Sequence, residues 1–247
     1  MNIILFENKP NFIPRTDQRA LHIRKILKLE TGESFRAGII DGPVGIVTIL
    51  GHDEKGYTVE WQETGPPVEP YPLTLIAGFV RPISAKRILR EAASLGVGRL
   101  VFTVTDTGEK SYLEANLWKS GEYRDYLING LQTAGATKLP LVDLCRDVRE
   151  AVSAGLEGAL FQSMQGDNDP VRLLLDNKGD GAGIAEKNLR DRPVVIAVGS
   201  ERGWSDRERE LFLQAHFEPV RIGSRIVRTE TACTAGAVLA LQGMGRL

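Results

Sequence analysis

No apolar run in this 247-residue chain approaches the ~18 residues that a membrane-spanning helix needs, so no span is expected. The opening MNIILFENKP has no basic stretch ahead of a long apolar one, the layout of a secretory leader, and a cytoplasmic protein is the expectation. Cysteine is scarce. Cys145 and Cys233 are the only two, far apart and outside any CxxC or Cys/His spacing, which argues against a disulfide framework and gives no metal site. Both read as buried, reduced thiols. Of the three histidines, His22 lies on a semi-apolar helical stretch and reads as a packed side chain rather than a base. An excess of one charge is also missing: 31 Lys and Arg against 32 Asp and Glu leave a net charge of −1 and no general attraction to a phosphate backbone. Any contact with nucleic acid must therefore be local. What remains is ordinary, 42% hydrophobic and 26% charged, in a length that fits one large domain or two small ones.

Residues 1–62 read as short strands around one helical stretch: 2–6, 35–40, 44–50 and 57–61 as strands, and 20–29 as the helix. Thr31 and Gly32 close the helix, Asp41-Gly42-Pro43 makes a hairpin turn, and Gly56 precedes the last strand. The proline-rich segment 63–72, ETGPPVEPYP, reads as a linker. Beyond it strands alternate with helices, the pattern of an α/β domain with a parallel sheet covered on both faces. Strands are expected at 73–79, 99–104, 159–163 and 194–198, and helices at 84–95 and 117–133. The run 194–198, VVIAV, is apolar on every side, as a central parallel strand must be. Residues 176–192 are polar and Gly-rich and read as a surface excursion. The division expected is 1–70 and 71–247.

Ser205 with Glu208 forms a capping box that opens a helix through Gln214. A buried strand thus ends at Val198, a loop Gly199-Ser200-Glu201-Arg202-Gly203 follows, and a capped helix starts beyond it. Ligands of open α/β sheets bind at such strand ends. A second loop, from Ile222 to Ala232, follows a strand-like run 219–222 and feeds an apolar, small-residue helix 231–242. Glycines in both loops let backbone groups approach a ligand closely. Neither loop is a GxGxxG fingerprint, and Gly135-Ala136-Thr137-Lys138 lacks the Gly-Lys-Ser/Thr of a P-loop. Spacing alone supports a pocket built from two neighbouring strand ends, or tight turns with no ligand.

The run GSRIVRTETA closely resembles the carboxy-terminal signature of the ribosomal RNA uridine-N3 methyltransferases, and GSERGWSDRE resembles that family's Gly-Pro-Glu-Gly-Gly loop and following helix. Collinear matches are His22-Ile23, Lys25-Ile26-Leu27, Gly32, Lys86, Glu91-Ala92, Leu95-Gly96-Val97 and Pro140, so the resemblance covers nearly the whole chain. It implies a PUA-like β-barrel at 1–70, followed at 71–247 by a SPOUT α/β domain whose carboxy-terminal part is a trefoil knot. It also implies a homodimer that binds S-adenosylmethionine and acts on small-subunit ribosomal RNA. Carried over by position, Gly199, Glu201 and Gly203 belong to the first cofactor loop, Ile222, Gly223, Ile226, Arg228 and Thr229 to the second, and Gln162, Ser163 and Met164 to a third edge. Ser200 and Arg202 stand where the family has Pro and Gly, and the helix ending at 131–135 lacks the family's Glu-Gln and later Arg.

Methylating uracil N3 requires in-line attack on a sulfonium methyl by a nitrogen that carries a proton in the neutral base. Arg228 is the candidate for stabilising negative charge on the uracil carbonyls, because a guanidinium is always charged and donates in a fixed fork. Glu230 could take the proton or orient that arginine, or simply suit the dipole at the start of the last helix. Basic clusters occur at Arg15, Arg19, Arg24, Lys25, Lys28 and at Arg81, Lys86, Arg87, Arg90. Of these, Arg15, Arg24, Lys25, Lys86 and Arg87 are the candidate RNA contacts, against the alternative of solvated helix faces. Two other readings stay open: an RNA-binding protein with a degenerate knot and no catalysis, and a nucleotide-binding α/β enzyme of unrelated chemistry.

Overall fold

The computed structural model describes residues 2–157, 169–178 and 181–247. The chain divides into two units, Met1–Glu69 with Leu131–Leu139, and Pro70–Gly130 with Pro140–Leu247.

The first unit holds strands β1 (Ile4–Phe6) and β2 (Phe12–Pro14), helix α1 (Gln18–His22) running on as a π-helical turn Ile23–Leu27, and strands β3 (Ser34–Ile39), β4 (Val44–His52) and β5 (Gly56–Gly65). They form a sheet in the order β1-β3-β4-β5-β2, with β1 parallel to β3 and the other pairs antiparallel. Alternation builds the core: Val47 and Ile49 of β4 point inward beside Phe35 and Val59, and Ile4, Ile13, Ala20 and Ile23 close over them. Asp17 caps α1 by accepting from the Arg19 N–H at 2.8 Å, and the π turn ends where Lys28 takes a left-handed conformation. The expected hairpin turn at Asp41-Gly42 joins β3 to β4.

Three features depart from the sequence reading. The short strand β2 has no counterpart in it. The linker is narrower, because β5 runs through Gly65 and the next strand begins at Tyr71, leaving 66–70, with Pro66, Pro67 and Pro70, outside the strands. Leu131–Leu139 also packs with this unit: the Asn2 N–H donates to Gln132 O at 2.9 Å, and Thr137, fully buried, accepts from the Val68 N–H at 3.2 Å.

The second unit runs β6 (Tyr71–Gly78), α2 (Pro82–Ser94), β7 (Val97–Thr103), α3 (Asn116–Lys119), α4 (Tyr123–Ala134), β8 (Leu141–Cys145), α5 (Val148–Leu156), β9 (Val171–Leu175), β10 (Ala182–Gly183), β11 (Val194–Val198), α6 (Asp206–Gln214), β12 (Glu218–Arg221) and α7 (Thr229–Gly243). The sheet is parallel throughout, in the order β10-β12-β9-β11-β6-β7-β8, so the chain forms the expected α/β fold. β11 lies in the middle and is buried along its length. Its Val195 and Ala197 face Val148, Ala151 and Phe212 of α5 and α6, while Ile196 faces Gly236 of α7. Small residues let α7 lie close: its buried positions 229, 233, 236, 237, 240 and 241 make one helical stripe.

Here too the sequence reading needs correction. The helix expected at 117–133 is broken at 120–122 into α3 and α4, and β8, α5 and β9 have no counterpart in it. The surface excursion 176–192 carries the edge strand β10 and anchors itself through Ile184 and Leu189, each 1% exposed. The strand expected at 159–163 lies outside the described residues. Cys145 and Cys233 are buried free thiols, and burial pushes the Cys145 thiol up to about 12, which leaves it un-ionised and inert.

Candidate active site

Because the strands are parallel, β6, β9, β11 and β12 all end at one edge, where Val198 pairs with Ala77 and Leu175, and Val220 with Leu175. The segments leaving these four strands surround a cavity of about 770 Å³. That is the size of a small-molecule site, placed where an open α/β sheet takes its ligand.

The first wall is the loop 199–203. Gly199 has no room for a side chain, since an added Cβ would lie 2.7 Å from Gly203 Cα. Gly203 takes φ +70° and returns its N–H to Ser200 O at 2.9 Å. Ser200 is 4% exposed, and its Oγ accepts from Thr105 Oγ1 at 3.0 Å. The Glu201 carboxylate accepts from the Arg81 N–H at the start of α2, at 3.2 Å, while Arg202 is exposed. Trp204 is buried against Phe212, and Ser205 caps α6 as the sequence predicts, with reciprocal bonds to Glu208 of 3.1 and 2.7 Å.

The second wall follows β12. Ile222 and Gly223 lead into an exposed stretch in which Ile226 is 82% exposed. Arg228 is the N-cap residue of α7, in extended conformation with an exposed side chain that makes no cap bond. Thr229 is buried behind it. Glu230 turns to α2, 3.6 Å from Arg87 Nη1, so the carboxylate is paired with Arg87 and not with Arg228.

Gln162, Ser163 and Met164 lie outside the described residues. Among the described residues a further wall comes from the end of β9, through Leu175, Asp176, Asn177 and Lys178. Asp176 is nearly buried, bonded to Arg209 of α6 and, at 3.1 Å, to the Lys178 N–H. The apolar triplet 173–175 ahead of an acidic residue was the available signal for this strand end.

The basic candidates are in different states. Arg15, Arg24 and Lys25 are exposed in the first unit. Lys86 Nζ lies 2.7 Å from Glu122 and over the Tyr126 ring, and Arg87 holds Glu230. Among the described residues no group of His, Cys, Asp and Glu could hold a metal ion, and no helix is long and apolar enough to cross a membrane.

Residues 67–241 match the RNA methyltransferase domain family. The chain is 38% identical over 246 residues to the ribosomal RNA small subunit methyltransferase E of Treponema pallidum, covering 97% of this chain and 90% of that protein. The chain belongs to this methyltransferase family. It is also 31% identical to the ribosomal RNA small subunit methyltransferase E 1 of Borreliella burgdorferi, covering 97% of each. A solved family member, the enzyme of Neisseria gonorrhoeae bound to S-adenosyl methionine, shares the fold with a TM-score of 0.74 at 18% identity, over 98% of this chain and 97% of that one.

Proposed function

We propose that the chain is an S-adenosylmethionine-dependent methyltransferase that modifies N3 of a uridine in small-subunit ribosomal RNA. The observation that carries this is the meeting of both glycine loops, one of them continuing into Arg228-Thr229-Glu230, around a single cavity at the ends of adjacent parallel strands. The residues present fit the cofactor. Its polar edges need backbone donors and acceptors at close range, which the exposed Gly223 leaves uncovered, and its apolar parts can lie against Leu175 and Ile222, which line the cavity with Gly199. S-adenosylmethionine supplies a methyl group on a sulfonium sulfur, activated for transfer.

The chain's own task is to hold the uracil in line and manage its charge. Arg228, exposed at the head of α7, is the group to stabilise negative charge on the carbonyls flanking N3. Glu230, in the first turn of α7 and ion-paired with Arg87, is the candidate acceptor for the N3 proton. Arg15, Arg24, Lys25, Lys86 and Arg87 are the proposed RNA contacts, and Leu175–Asn177 joins the two loops as a further cofactor edge. The same reading gives the second unit a SPOUT trefoil knot, the first a PUA-like barrel, and the molecule a homodimeric state in the cytoplasm, where ribosomes are made and used.

Titration with S-adenosylhomocysteine tests the reading. It should release heat and raise the melting temperature as ligand exceeds its dissociation constant, and incubation with S-adenosylmethionine and the small-subunit RNA should yield an N3-methyluridine in a nuclease digest. Absence of both binding signals at saturating ligand would remove the methyltransferase reading; binding without methylation of any uridine would leave a non-catalytic RNA-binding protein.

A further inference from the structure

The first glycine loop is held from outside by the chain leaving β7. Thr105 Oγ1 donates to Ser200 Oγ at 3.0 Å in a buried contact, and Thr107 Oγ1 donates to Gly203 O at 3.0 Å. Between them the Asp106 N–H donates to Glu208 Oε1 at 2.7 Å, while the other oxygen of Glu208 accepts from the Ser205 N–H at 2.7 Å. A capping box needs only one oxygen of its glutamate. Here the second, on a side chain 1% exposed, binds a residue 102 positions away. The Asp106 carboxylate adds bonds from Ser205 Oγ at 2.6 Å and from Arg207 at 2.6 and 3.0 Å. Gly108, in the same segment, leaves room for this contact: a Cβ there would lie 2.4 Å from Thr105 Oγ1 and 3.4 Å from Ser200 Oγ.

We infer that Thr105 and Thr107 are positioning residues for the cofactor: their hydroxyls fix the path of the loop 199–203 and so set its affinity for the S-adenosyl group, although neither is among the described residues that line the cavity. The inference rests on the reading that this loop holds the cofactor. A loop with glycine at both ends has wide conformational freedom, and ordering it on binding costs affinity unless it is ordered beforehand. Where a proline would restrict the loop through its ring, Ser200 is restrained instead by a hydrogen bond to Thr105. The Thr107 bond fixes the Gly203 carbonyl, at the point where the chain turns through positive φ into α6.

The test uses the full chain. Thr105→Val with Thr107→Val keeps shape and removes both donors; S-adenosylhomocysteine affinity should fall about tenfold by calorimetry, as expected for two hydrogen bonds. In the ligand-free protein, amide exchange should quicken at 199–203 while the rest of the second unit keeps its protection. Thr105→Ser, which retains the donor, should bind as the wild type does. Should the double variant fail to fold, Thr107→Val alone, at the less buried position, should shift affinity and loop exchange in the same direction. Unchanged affinity in the valine variants, an equal loss in Thr105→Ser, or quickened exchange spread over the whole unit would each overturn the inference. A wild type that binds no S-adenosylhomocysteine would instead overturn the function proposed for the pocket, and this inference with it.

Discussion

Arg228 and Glu230 are two positions apart, yet the start of α7 sends them different ways: the cap residue stays extended and exposed, while the residue inside the first turn reaches Arg87 on α2. On the proposed function this divides the labour, with Arg228 placed to meet substrate and Glu230 held by Arg87. Arg228→Ala should lower single-turnover methyl transfer by roughly 10²-fold, the effect of removing one charge-stabilising donor. Since its side chain is exposed and makes no cap bond, melting temperature should barely change, and S-adenosylhomocysteine affinity should change much less than turnover. A variant that binds cofactor and turns over normally would take Arg228 out of the mechanism. The residue types at both loops are legible in sequence because glycine and the Arg-Thr-Glu run carry their own signal. Ser200 is not: its departure from proline makes sense only beside Thr105, a partner 95 positions away that no local pattern reveals.

Elements announce themselves in sequence when their burial is uniform or their ends are chemically marked. β11 is apolar on both faces because it lies mid-sheet, and α6 carries a capping box, so both are readable. β8 is an edge strand with mixed exposure, β2 is three residues long and ends in proline, and β10 is two residues long. Such strands owe their existence to a neighbour's ladder rather than to their own pattern. The close crossing of α4 on α2 is equally silent in sequence. It depends on Gly130, where an added Cβ would lie 2.3 Å from Arg90 O and 2.8 Å from Ala93 Cβ. Alanine is favoured over glycine in a helix by up to about 1 kcal/mol, but here it must push two backbones apart, which costs typically about 1–3 kcal/mol. Gly130→Ala should therefore shift the denaturant midpoint downward. An upward shift would mean that the crossing yields freely and that propensity wins.

For the whole molecule, 31 basic residues against 32 acidic ones leave no net pull on a phosphate backbone, so affinity for RNA has to come from cations placed locally. Lys86 and Arg87 already have carboxylate partners, Glu122 and Glu230, and a phosphate reaching them must compete with those pairs. Arg24 and Lys25 are exposed on the π-helical turn, next to Ile26 at 66% exposure, where a phosphate can approach them from solvent. The expectation is that Arg24→Ala with Lys25→Ala weakens binding of a small-subunit RNA fragment and lowers the slope of log affinity against log salt by about two, roughly one for each cation removed from a phosphate. Lys86→Ala should change the slope less, because the side chain is already partly neutralised before RNA arrives. Anisotropy titrations at several salt concentrations measure both. Two exposed side chains contribute little to packing, so an unchanged melting temperature would tie any drop in affinity to the missing cations rather than to unfolding. An unchanged slope in the double variant would place the RNA surface elsewhere, and a full unit of slope removed by Lys86→Ala would mean that its pairing with Glu122 is given up when RNA arrives.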